Sequence, residues 1–382
     1  YNVNNGATLE LAIGGVHRVL NSLSQIAGAG SLVKSGGGEL ALNGLYSHSG
    51  PVQVDGGILN YSTSASSISF ASLQLNNAQL TGDDGFVISG TFNWNGGDVL
   101  QTLGAPTLNV ASGGTLALNL GATQSFARLA RPLVNNGTIT ASGSGANTSW
   151  RLISGGITNN ATWNIATNSL HTFTLSCETV DCASVVNTPA SSLEISNAAG
   201  GSVVIADSLT AFNNNGTLTH NSGCATIAAP GVDGGSFVLN SGTCGSGPNL
   251  SLNPRSGTQR TWTEGVTLTQ NAAEIGIGGR LVVNGATRSF ERLYIDQLGV
   301  LAGPAAITLS NTTQWKGTIE GGGASDVVNI VSGVAVTSDL PAAAILRNRT
   351  LNNSGTLRLN QTVLRLEGTA AIDNSLSIEL VG

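Results

Sequence analysis

Short runs of alternating apolar and polar residues follow one another along this chain, each opened by a small cluster of Asn and Gly. In LNNSGTLRLN at 351–360, Leu357 and Leu359 fall on one face of an extended segment and Arg358 on the other. The phrase recurs as VNNGTIT at 134–140, NNNGTLTH at 213–220, ITNNATWNI at 157–165 and, more loosely, NNGATLEL at 4–11. A second phrase, Gly-Gly-x-Leu, opens strands at GGELAL (37–42), GGIL (56–59), GGTLAL (113–118), GGSFVL (234–239) and GGRLVV (278–283). Asn and Gly tolerate the positive φ of tight turns, and a period of two is that of a half-buried strand, so both phrases predict turn, then strand. One such unit cannot bury its apolar face alone. Units of about twenty to twenty-five residues can stack, each strand pairing with its equivalents above and below, which predicts an all-β solenoid with parallel strands.

Composition narrows the function classes. With 52 Gly among 382 residues, 9% charged residues, 4% aromatics and no Met, the chain is unlike an average enzyme domain. Its net charge of −6 and unclustered Lys and Arg argue against nucleic acid as a partner. No apolar run approaches a membrane span, so no membrane insertion of this segment is expected, and residues 1–20 lack the pattern of a signal peptide. With Tyr1 in first place, the expectation is a mature or excised fragment of an exported protein.

The cysteines point the same way. Cys177 and Cys182 enclose a short segment, while Cys224 and Cys244 lie 20 residues apart, about one coil. Residues one coil apart stack about 4.8 Å from each other, near the Cα separation that a disulfide needs. This predicts bridges Cys177–Cys182 and Cys224–Cys244, against the alternatives of four free thiols or the other two pairings. Bridges imply an oxidising, extracellular setting. The spacing does not suit a zinc knuckle.

Residues 28–59, GAGSLVKSGGGELALNGLYSHSGPVQVDGGIL, resemble the passenger-associated repeat of bacterial autotransporters and related large surface proteins. Leu32, Lys34, Gly36, Gly38, Leu40, Leu42, Gly44, Tyr46, Gly50, Val54, Gly57 and Leu59 match its G-x-L-x-K-x-G-x-G-x-L-x-L-x-G…Tyr…V-x-x-G-x-L form, and Ser47-His48-Ser49 replaces its short Gly-rich turn. A longer repeat sets Trp94 against Trp315, LNVASG (108–113) against VNIVSG (328–333) and VNNGT (134–138) against LNNSGT (351–356), relating the blocks 91–165 and 313–382. A separate match aligns GATQSFARL (121–129) with GATRSFERL (285–293). Residues 166–210 fit less regularly, and a loop is expected to project there. The cadence looks like that of secreted adhesin-like arrays. The resemblance implies a right-handed parallel β-helix, here one continuous rod over 1–382, of about sixteen coils and on the order of 80 Å long.

Few residues suggest chemistry. GDDGFVI at 82–88 invites comparison with the paired carboxylates of β-helical polygalacturonases, which would make Asp83 and Asp84 acid and base. Adjacent strand residues point to opposite faces, however, and that family's other motifs are missing, so a solvated acidic turn is favoured. Glu178 and Asp181 read as a polar loop tip. His17, His48, His171 and His220 show no metal-ligand or catalytic spacing, there is no phosphate loop, and GGGASD at 321–326 is not the nonapeptide calcium repeat. No cofactor, metal or catalytic residue is therefore expected.

The five tryptophans, Trp94, Trp150, Trp163, Trp262 and Trp315, are expected to stack in the core rather than to bind sugars at the surface. The repeat-turn asparagines, Asn136, Asn215 and Asn353 among them, are expected to form amide ladders, and sequons at Asn136, Asn160, Asn215, Asn348 and Asn360 are those that chance supplies. An ice-binding face would need a regular Thr-x-Thr array, and Thr reads as scattered. Strand-like ends without caps suggest either an excised piece or head-to-tail assembly into an extracellular fibre. The expectation is a structural or adhesive rod at the bacterial cell surface, not an enzyme, partnered by itself or by surface glycans or proteins. The alternative is a β-helical carbohydrate-active enzyme.

Overall fold

A computed structural model describes residues 1–63, 65–102, 104, 106–121, 125–144, 147–168, 171–179, 182–198, 200–240, 244, 247–285, 287–323, 325–339 and 343–381. Among them there is no helix. Short strands pair only in parallel along the sheets, giving a parallel β-solenoid of about 16 turns. The chain divides into two compact units, 1–194 with 208–210, and 195–207 with 211–382.

In the first unit a regular turn holds three strands, as in Leu133–Asn135, Thr138–Gly143 and Asn147–Leu152. Each pairs with the strand three places on, so that Leu133 meets Ile157, Ile139 meets Trp163 and Trp150 meets Leu175. Alternation sets the faces. Along Thr138–Gly143, Ile139 and Ala141 are buried, while Thr138 and Thr140 lie on the outer face. The irregular-looking stretch after residue 166 continues in the same way, with strands at Thr172–Cys177 and Ser184–Asn187. The second unit repeats the scheme, for example with Thr318–Glu320, Val327–Ile330 and Ala335–Asp339. In its last turn Leu366, Ile378 and Leu380 are exposed, although they continue the buried columns of Leu346, Leu357 and Leu359.

The recurrent Asn-x-Gly corner works differently from the turn predicted for it. None of Asn135, Asn136, Gly137, Asn353 and Gly355 has a positive φ. The glycines are required by close approach instead, because a Cβ at Gly137 would lie 2.3 Å from the Gly114 carbonyl and one at Gly355 2.4 Å from the Val334 carbonyl, each in the preceding turn. The asparagine amide folds inward. Asn135 accepts from the Gly137 N–H (3.1 Å) and donates to the Thr162 carbonyl (2.9 Å), and Asn353 does the same with Gly355 (3.2 Å) and Ser377 (2.8 Å).

All five tryptophans are buried. Trp94, Trp150 and Trp163 meet edge to face, with centroids 5.9 Å apart in both pairs. Trp262 lies between Phe237 (5.3 Å) and Phe290 (6.1 Å), and the Trp315 indole donates to the Gly317 carbonyl at 2.9 Å. They do not form a single ladder: Trp94 ends a strand paired with Thr115–Leu120, the second of its turn, whereas Trp315 ends a third strand. Both disulfides are present, Cys177–Cys182 in the first unit and Cys224–Cys244 in the second. Cys244 precedes the strand Leu250–Leu252, which pairs with the Cys224 strand, so the bridge fastens one turn to the loop that enters the next. Replacing Cys224 and Cys244 by Ser is expected to lower the unfolding free energy by about 3 kcal/mol, as closure of a 20-residue loop requires. Guanidinium unfolding of both forms measures this, and equal midpoints would show that the bridge constrains nothing.

Candidate functional site

The outer face of one sheet in the first unit gathers the most varied side chains. Parallel register lines up Gln79, Asp98, Arg128, Arg151 and Ser176 in one column, and Phe126, Ser149 and Thr174 in the next. These positions alternate with the buried Leu80, Val99, Leu129, Trp150 and Leu175, so the same pattern that packs the core displays the column. Between them run two adjoining shallow grooves of about 340 and 300 Å³, one along Asn77, Gln79, Asp98, Phe126 and Arg128, the other along Asn147, Ser149, Arg151 and Thr174.

Arg128 grips Asp98 through two hydrogen bonds (2.8 and 2.5 Å) and lies 3.6 Å from Glu178, and the Asp98 hydrogen bond holds its pKa above the usual arginine value. Arg151, the next residue up the column, is engaged differently. Its Nε donates to Ser149 Oγ (3.1 Å) and its guanidinium lies 4.9 Å from the centre of the Phe126 ring, which keeps 38% of its surface exposed. Among the described residues no carboxylate pairs with Arg151.

The second unit holds a cleft of about 600 Å³ beneath the loop 253–259, lined by Asn253, Arg255, Gln259, Arg280 and Leu298. Arg280 is committed there to Glu320 (2.9 Å), which continues through Arg347 (3.2 Å) to Glu367 (2.6 Å). These arginines hold the Glu320 carboxyl below its usual pKa. Alternating charges along this face satisfy one another.

The residues singled out from the sequence are dispersed. Asp83 is exposed and accepts from Thr102, while Asp84 is buried, takes the Thr63 N–H at 2.8 Å and has its pKa raised by burial. The two carboxylates thus face different surroundings. Glu178 reaches Arg128, and Asp181 lies outside the described residues. Asn136 belongs to an exposed ladder with Asn109 and Asn160 (3.0 Å each), and the buried ladder starts one residue earlier, at Asn135. Asn215 is half-buried next to the buried Asn214, whereas Asn353 is itself buried and bonds Asn374 at 2.6 Å. Asn348 adopts a positive φ and receives the Thr369 N–H, and Asn360 donates to Asp339.

Thr91, Thr115, Thr138 and Thr162 prove to be one column, among threonines that read as scattered along the sequence. The positions two residues on are Asn93, Ala117, Thr140 and Asn164, so no second threonine column accompanies it.

The histidines serve separate purposes. His17 pairs with Glu39 at 2.9 Å, and His48 contacts the Gly30 carbonyl (2.9 Å) and Tyr46 (3.3 Å). His171 Nδ1 is buried without a hydrogen bond. Among the described residues no three His, Cys, Asp or Glu gather as metal ligands.

His220 is fully buried beside Leu239. Neither ring nitrogen makes a well-formed hydrogen bond, and the backbone of Gly223 offsets only part of the burial, which lowers the pKa from 6.5 to about 4. The unfolded ring takes its proton near pH 6.5 and the folded ring only near pH 4. This contribution is therefore complete above about pH 6.5 and lost as pH falls toward 4, about 2 kcal/mol of it between pH 7 and 5. His220→Leu should flatten that part of the stability profile, and parallel profiles for the two proteins would refute the assignment.

Sequence reasoning passed over Phe126, Arg128 and Arg151. The one signal for Phe126 and Arg128 was the match of GATQSFARL to GATRSFERL, which does not reach Arg151 and is not structural: Phe126 opens a third strand and is exposed, whereas Phe290 ends a second strand and is buried. No family model, curated protein or solved structure matches this chain.

Proposed function

We propose that this chain is a structural and adhesive element of a secreted bacterial surface protein, akin to autotransporter passengers, and that the groove around Phe126 and Arg128 is its contact face. The supporting observation is that groove: an exposed ring, a fixed guanidinium–carboxylate pair and several amides and hydroxyls on a flat sheet face, which suits an extended ligand. Two disulfides agree with life outside the cell. The passenger-like repeat gains a physical rationale from Lys34, whose buried ammonium donates to the carbonyls of Ser35 (3.0 Å), Gly36 (2.9 Å) and Gly56 (2.9 Å) and so joins successive turns. An enzymatic reading has less support, because Asp84 is withdrawn into the interior.

Labelled wild-type protein should bind cells or isolated surface material saturably, and Phe126→Ala should weaken this about tenfold at unchanged circular dichroism. Equal binding by the two proteins would dismiss this face, and no binding by the wild type would dismiss the adhesive reading.

A further inference from the structure

We infer that the Arg151 groove, where it adjoins the Phe126 ring of the neighbouring groove, takes a sugar carboxylate of an acidic polysaccharide, an assignment that rests on the adhesive reading above. Its basis is the contrast between two arginines in one column. Asp98 and Glu178 accompany Arg128, whereas Arg151 has a single hydrogen bond, from Nε to Ser149, and no carboxylate partner among the described residues. A guanidinium offers five donors in a planar fork that matches a carboxylate in two-point contact.

The exposed Phe126 ring, its centre 4.9 Å from the guanidinium, sets an apolar surface beside the fork. A pyranose presents just such a combination: a C–H face for the ring, hydroxyls for Ser149, Asn147 and Thr174, and, in a uronic acid, a carboxylate for the fork. The neighbouring groove provides Gln79 and the Arg128–Asp98 pair, which can donate to and accept from the hydroxyls of the next sugar. Two adjoining open grooves on one flat face suit a chain of sugars rather than a single one. An acidic peptide would satisfy Arg151 but would use fewer of the hydroxyl and amide groups.

Titration calorimetry with tetragalacturonate, a neutral glucan tetramer and a tetraglutamate peptide tests this on the full chain. Tetragalacturonate should bind at least tenfold more tightly than the neutral tetramer, weaken as salt rises, and lose its advantage in Arg151→Gln while Arg151→Lys keeps part of it. Equal affinity for the two tetramers, an unchanged Arg151→Gln protein, or tetraglutamate binding as tightly as the sugar would each overturn the inference and leave the adhesive reading intact. Cell binding without binding of any oligosaccharide would do the same. If neither cells nor oligosaccharides are bound, both fail. The salt dependence of the wild type decides the electrostatic part without any variant.

Discussion

Asp233→Ala is expected to lower the unfolding free energy by about 3–5 kcal/mol, far more than its single side-chain ion pair would cost at a surface. Asp233 and Arg260 are both fully buried, and Arg260 Nη2 meets Asp233 Oδ1 at 2.5 Å. The same oxygen accepts the Asn214 N–H (2.9 Å), while Arg260 also donates to the carbonyls of Ala229 (2.9 Å) and Phe212 (3.1 Å). Removing the carboxylate leaves a guanidinium sealed in the core without a counter-charge and takes the Oδ1 acceptor away from the Asn214 N–H. Most of the cost is therefore the stranded charge. Adding Arg260→Met to Asp233→Ala should recover part of the loss, since it removes the stranded charge, which costs more than the donors it takes from the Ala229 and Phe212 carbonyls. Guanidinium unfolding read through the nearby Trp262 measures both. A double variant as unstable as the single one would show that Arg260 is not the source of the penalty.

Two more buried arginines manage without a carboxylate bound to the guanidinium. Arg131 donates to the carbonyls of Leu100 (2.5 Å), Asp84 (2.6 Å) and Gly82 (2.6 Å) and lies 3.8 Å over the Phe86 ring. Arg349 donates to the carbonyls of Ala305 (2.9 Å), Val327 (3.0 Å) and Gly303. Burial lowers the pKa of both, that of Arg131 to about 10, which still keeps it charged at neutral pH. With Lys34, these side chains act as plugs: at these corners a long cation reaches inward-facing carbonyls of its own turn or of turns one or two away.

This explains what could be read from the sequence and what could not. Alternation and turn phrases report on nearest neighbours along the chain, so the strands, the parallel stacking and the burial of tryptophan were legible. The Cys224–Cys244 bridge was legible because its spacing is close to one turn. Whether a charged residue points in or out depends on which carbonyls lie in the turns around it, and unequal turn lengths hide that, so nothing local separates the buried Arg131 from the half-buried, outward-facing Arg151. The same uncertainty of a single residue affects the Asn-Asn-Gly phrase. Both asparagines form ladders, and only the register of the corner decides that Asn135 is buried and Asn136 exposed.

That difference can be measured, because Asn159 bonds a rung on either side in the buried ladder and Asn136 does so in the exposed one. Asn159 accepts from Asn135 Nδ2 (2.6 Å) and donates to Asn187 Oδ1 (2.8 Å) and the Ser192 carbonyl (3.0 Å). In Asn159→Ala, Asn135 keeps its bond to Thr162 and Asn187 keeps that from Ser191, but the Ser192 carbonyl loses this donor and a small cavity opens at a corner with no access for water. Unsatisfied buried groups at about 1–3 kcal/mol each, together with the cavity, give an expected loss of about 3–5 kcal/mol. Asn136→Ala removes two hydrogen bonds as well, at 3.0 Å each, yet water replaces them and the loss should stay within about 0.5 kcal/mol. Guanidinium unfolding followed by the emission of Trp163, which lies on the strand after the Asn159 corner, compares the two directly. Similar losses in both variants would mean that the inward amides are not what holds these corners together, and close backbone packing at Gly137 would then have to carry that role alone.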